Sequence, residues 1–139
     1  MTWGAGAVTV TNLLMLAACG GAPAKPVEDL AGGADVSRFT MTSVAGTRDG
    51  ERLTVRVVYS DGPRELTLDL RFQIGVPTRL ASGRWTGPGG AGIVQERSVT
   101  FLGGQSGPPS LGGRFDLLGP NDAALYRVTI PVQPLDRPL

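Results

Sequence analysis

The only thiol in this chain is Cys19, and no histidine accompanies it. Without an imidazole, a serine or cysteine nucleophile lacks its usual general base, and the commonest zinc and haem ligands are missing too. Carboxylates remain as acid–base groups. Asp49, Glu51, Asp61, Glu65 and Asp122 fall in turns or on polar strand faces, where solvated acids do not split their pKa values as a catalytic pair must. Asn121-Asp122 stands alone, without the repeated oxygen ligands of a calcium loop. The expectation is a protein that is not an enzyme and holds no metal. A single cysteine cannot form an internal disulfide either, which leaves attachment as the chemistry open to Cys19.

The elements around Cys19 agree with that. Ala5 to Ala18 is mostly apolar, of signal length and too short to span a bilayer. It ends in Leu16-Ala17-Ala18-Cys19, with no Lys or Arg before the cysteine. The segment resembles the signal peptide of bacterial lipoproteins, whose lipobox places small residues before the modified cysteine. That resemblance implies removal of residues 1–18, covalent diacylglycerol on Cys19, and a membrane-anchored protein on the periplasmic or another extracytoplasmic face. No other cofactor is expected. Residues 19–35 then read as a flexible tether, since Gly20 to Gly33 has no periodic apolar face and Pro23 and Pro26 interrupt helix and strand alike.

Residues 36–132 carry a period of two. Arg52 to Tyr59 places Leu53, Val55, Val57 and Tyr59 on one face, and Arg64 to Ile74 does the same with Leu66, Leu68, Leu70, Phe72 and Ile74. Ser60-Asp61-Gly62-Pro63 between them predicts an antiparallel hairpin. Parity requires odd positions of the first strand to face even positions of the second, as in Val57 with Leu66, which would set Thr54 opposite Asp69. Weaker alternation predicts further strands within 37–44, 78–86, 93–102, 113–118 and 125–132, with a turn over 46–50 and an irregularity near Gln95. The fold class expected is all-β, a small antiparallel sandwich or open barrel of about seven strands. Gly83-Arg84-Trp85, Val99-Thr100-Phe101 and Gly112-Gly113-Arg114-Phe115 are similar in rhythm to small calycin-like bacterial lipoproteins, which favours a barrel.

Candidate partner-binding residues lie in three places. Trp85 precedes the glycine-rich run 87–92, where Gly89 and Gly90 could lie flat against another protein, and Gly103, Gly104, Pro108 and Pro109 belong to a second such run. Trp85 reads either as an exposed anchor or as the central core aromatic. Residues 133–139 form an extended, Pro-rich tail whose Leu135 and Leu139 could dock on a neighbour. Thirteen basic against twelve acidic residues give a net charge of +1. No basic block occurs, so neither nucleic acid nor an anionic membrane surface is indicated. The function expected is that of a lipid-anchored accessory or protein-binding domain in a bacterial membrane assembly. A carrier of small apolar ligands in a calycin-like barrel is the first alternative. A carbohydrate-binding or carbohydrate-active domain using Trp85 with an acid is the second.

Overall fold

The computed structural model describes residues 25–103 and 108–139. The expected signal segment, Cys19 and Gly104 lie outside them. The described residues form eight strands: β1 (Val27–Asp29), β2 (Thr40–Asp49), β3 (Arg52–Ser60), β4 (Glu65–Gln73), β5 (Arg79–Gly87), β6 (Gly90–Leu102), β7 (Ser110–Leu118) and β8 (Ala124–Pro134). They make one antiparallel sheet in the order β1-β8-β7-β6-β5-β4-β3-β2. From β2 to β8 it is a meander, each strand beside its sequence neighbours. The sheet curls into an open barrel around one core, to which β3, β4, β7 and β8 each turn a face of alternating buried apolar residues while β2, β5 and β6 add fewer.

The inner face is as the parity of β3 and β4 requires. Leu53, Val55, Val57, Tyr59, Leu66, Leu68, Leu70 and Phe72 are all buried. Register differs by two residues from the pairing illustrated above: Val57 faces Leu68 and Tyr59 faces Leu66. The reason lies in the turn. Ser60 pairs with Glu65, which leaves Asp61-Gly62-Pro63-Arg64 to close it. Arg64 Nε donates to Asp61 Oδ2 at 3.0 Å and Arg64 Nη2 to the Asp35 carbonyl at 2.7 Å, while the guanidinium lies 5.1 Å from the centre of the Phe39 ring. The Arg64 guanidinium holds the Asp61 carboxyl below its ordinary value.

Three further expectations are corrected. The tether stops short of residue 35, since Val27 is buried and β1 pairs with Tyr126–Val128 of β8. Pro26 is tolerated at that edge because a strand's first residue need not donate, and its carbonyl accepts from Thr129. β2 runs through 46–49 and turns only at Gly50-Glu51, with Asp49 opposite Arg52. Of the tail's two apolar residues, Leu135 is not free for a neighbour. Leu135 is buried in the core, and its N–H donates to the Pro109 carbonyl at 2.7 Å.

The tail also bridges the open side of the barrel. Six successive antiparallel pairings lead from β2 to β8, so these two strands run parallel and no plain hairpin ladder can join them. Instead the end of β8 and the tail lie alongside β2. Gln133 Nε2 reaches Met41 Sδ, Gly46 N–H donates to the Arg137 carbonyl at 2.9 Å, and Leu139 N–H donates to Thr47 Oγ1 at 3.2 Å. Across the interior, Tyr59 Oη donates to the Thr129 carbonyl at 3.0 Å.

Candidate functional site

Trp85 belongs to the core and not to the surface. It is 1% exposed, its indole N–H donates to the Leu118 carbonyl at 2.9 Å, and it packs edge-on against Tyr126 with ring centres 5.8 Å apart. Its size also explains the glycines beside it. A Cβ on Gly92 would lie 1.9 Å from the Leu118 carbonyl oxygen that the indole engages, so only glycine lets β6 pass. Pro88-Gly89 forms the two-residue turn between Gly87 and Gly90, and Gly89 takes φ +84°, which suits glycine after proline in a type II turn. In the first glycine run Gly92 serves internal packing, while Gly89 and Gly90 are exposed in the turn. Gly103 and Pro108 are exposed, Pro109 is half-buried under the tail, and Leu139 is exposed. The structure does not bring these expected site residues together as one surface.

What it does bring together is arginine. The outward positions of β3, β4 and β5 form three rungs: Arg52–Gln73–Arg79, Thr54–Arg71–Ser82 and Arg56–Asp69–Arg84. Five of these nine positions are arginine and one is acidic, although the whole chain carries only +1. Arginine occupies the four corners and the centre. Two corners are neutralised, Arg56 Nε by Asp69 Oδ1 at 2.7 Å and Arg79 Nε by Glu96 Oε2 at 3.5 Å. Among the described residues, Arg52, Arg71 and Arg84 meet no carboxylate. They form a diagonal of exposed guanidinium groups across the sheet.

Two shallow concavities flank the middle of that diagonal. One, of about 540 Å³, is lined by Arg52, Arg71, Thr54, Gln73 and Ser82 among others. The other, of about 600 Å³, is lined by Arg71, Arg84, Asp69, Ser82 and Ile93 among others. They share Arg71, Ala81 and Ser82. The register between β4 and β5 shifts there, because Arg71 faces Ser82 while Phe72 faces Leu80, leaving Ala81 as the extra residue of a bulge. Bulges re-aim side chains and accentuate twist, and the small Ala81 and Ser82 side chains keep the surface low between the arginines. Each concavity is framed by two guanidinium groups without an ion-pair partner and by one carboxylate, Asp49 in the first and Asp69 in the second; the guanidinium groups can receive an anion by forked hydrogen bonds.

The sequence reading missed this site. Parity put Arg52, Arg56 and Arg71 outward, but the five arginines are scattered over 52–84 and make no block. Only the strand register and the β5 bulge join them. No protein-family model matches the chain, and neither does any curated protein or solved structure.

Proposed function

We propose that this protein is a lipid-anchored, non-catalytic β-domain that docks on another protein of a bacterial membrane assembly at its periplasmic or extracytoplasmic face. The single observation that carries the docking is the diagonal Arg52, Arg71 and Arg84 without ion-pair partners among the described residues, since guanidinium groups left so on an exposed sheet face are suited to a partner's anions. Anchoring rests on Leu16-Ala17-Ala18-Cys19 and its likeness to a lipobox. The non-catalytic reading is supported by the acids themselves: Asp61, Asp69, Glu96 and Asp116 are all engaged by arginines of the same chain. No observation favours the apolar carrier, because Trp85, Tyr59, Tyr126, Phe39, Phe72 and Phe115 converge in the barrel interior where a ligand would sit.

The test separates the two parts. Cys19→Ala is expected to abolish incorporation of a labelled fatty acid and release the chain from membranes; continued lipidation would refute the anchor. The triple change of Arg52, Arg71 and Arg84 to Gln is expected to leave the chain lipidated but free of its complex when membranes are solubilised in mild detergent. A complex that survives the triple change would overturn docking through this face.

A further inference from the structure

We infer that the arginine diagonal receives an extended acidic segment of the partner protein, with Asp or Glu at alternate positions, one carboxylate entering each concavity. This rests on the docking proposed above and names the chemistry of what docks. The diagonal steps one strand sideways and two residues along, so consecutive arginines stand about 8 Å apart given the usual spacings of a sheet. Side chains on one face of an extended peptide recur at about 6.8 Å, and the long stems of arginine and glutamate take up the difference. A partner carboxylate beside Arg71 can share its guanidinium with Arg52 on one side, and the next carboxylate can share it with Arg84 on the other.

Other features of the face fit a polypeptide. Thr54, Gln73 and Ser82 interleave with the arginines and supply neutral donors and acceptors for peptide groups. Ile93, opposite Arg84 and 52% exposed, ends the row with an apolar contact for a side chain beyond the acids. Asp49 and Asp69 line one concavity each and repel an anion that does not sit on the Arg52, Arg71 and Arg84 guanidinium groups, which makes spacing and not mere negative charge the selected property. A smooth anionic lipid surface would gain nothing from two recessed, paired sites in a chain whose net charge is +1.

The test uses the full chain in detergent micelles and two fluorescent peptides of identical composition, one alternating Glu and Thr, the other with all Glu in one block. The alternating peptide is expected to bind about tenfold tighter than the block isomer, and the difference to shrink as salt is raised. Arg71→Gln should erase the preference with an unchanged melting temperature, whereas Arg114→Gln, on the exposed face of β7, should leave it intact. Equal binding of the two isomers overturns the inference, as does a preference that survives Arg71→Gln. Arg71-dependent sedimentation with phosphatidylglycerol vesicles, without peptide discrimination, overturns it in favour of a lipid surface. If the isomers bind equally while the membrane complex still needs the three arginines, the inference fails and the docking stands. Spacing preference in the peptides with a complex indifferent to the arginines would leave the chemistry and remove the docking.

Discussion

The two halves of the barrel's outer wall use the same residue type for opposite ends. On β7 and β8, Asp116 is 3% exposed, and Arg127 grips both its oxygens, with Nε at 2.7 Å and Nη2 at 3.3 Å. Arg97 stands 3.8 Å from the same carboxylate. Donating to the Asp116 carboxylate holds the Arg127 guanidinium even more firmly protonated than usual. On β3, β4 and β5, Arg52, Arg71 and Arg84 have no such partner among the described residues. The β7–β8 half gathers Arg97 and Arg127 on one buried acid and leaves Arg114 exposed, whereas the β3–β5 half pairs Arg56 and Arg79 at its rim and leaves a row of three available. A buried, satisfied acid decides which is which: Asp116 lies beneath arginines, whereas Asp69 is exposed and engages only Arg56.

The comparison is most open to attack at Asp116. Asp116→Ala is expected to cost about 2 kcal/mol through lost charge-assisted hydrogen bonds to a buried carboxylate, while Arg71→Gln on the other half costs less than about 0.5 kcal/mol, as exposed substitutions do. Urea denaturation measures both, and equal losses would abolish the distinction. Next in size is the strut between the halves, Tyr59 to Thr129. Burial pushes the Tyr59 phenol above its ordinary value of 10.0, so the folded chain keeps this proton where the unfolded chain releases it. Its contribution is complete below pH 10 and is lost as pH rises beyond that. Tyr59→Phe should cost about 1 kcal/mol at neutral pH and flatten the alkaline decline; an unchanged decline would place its origin elsewhere. Smallest is Asp69→Asn, which frees Arg56 and enlarges the available set. Stability should stay within about 0.5 kcal/mol, and binding of the alternating acidic peptide should strengthen about twofold by fluorescence anisotropy. Weaker binding would mean that Asp69 organises the site instead of restricting it.

The sequence carried the barrel's inner surface better than its outer one. Burial enforces parity, so Leu53 to Phe72 could be placed inward from alternation alone. Absolute register depends on the length of one turn, which an ion pair between Asp61 and Arg64 sets and which no hydrophobic pattern encodes. β1 was hidden because three residues are too few for a period, and its only strong signal is Val27. Trp85 was ambiguous because alternation does not show the Leu118 carbonyl that satisfies its indole N–H and lets it be buried. The arginine face was half visible as outward parity on β3 and β4. Its third column waited on the Ala81 bulge, which fixes where Arg79 and Arg84 fall. The tail misled because extended, Pro-rich sequence looks the same whether it covers its own barrel or another molecule.

That tail has a dynamic consequence. β3 is paired on both sides, with β2 and β4, and β4 is paired on both sides from Thr67 to Gln73, so opening an amide there disturbs ladders on two sides. Along the seam between β2 and the tail, one backbone bond, Gly46 to Arg137, stands where a ladder would be. Strand alternation turns the Val44 and Arg48 amides toward the same seam as that of Gly46. The barrel should therefore unbutton there first. Native-state deuterium exchange is expected to reach Val44 and Arg48 well before Val57 or Leu68, and to do so without global unfolding.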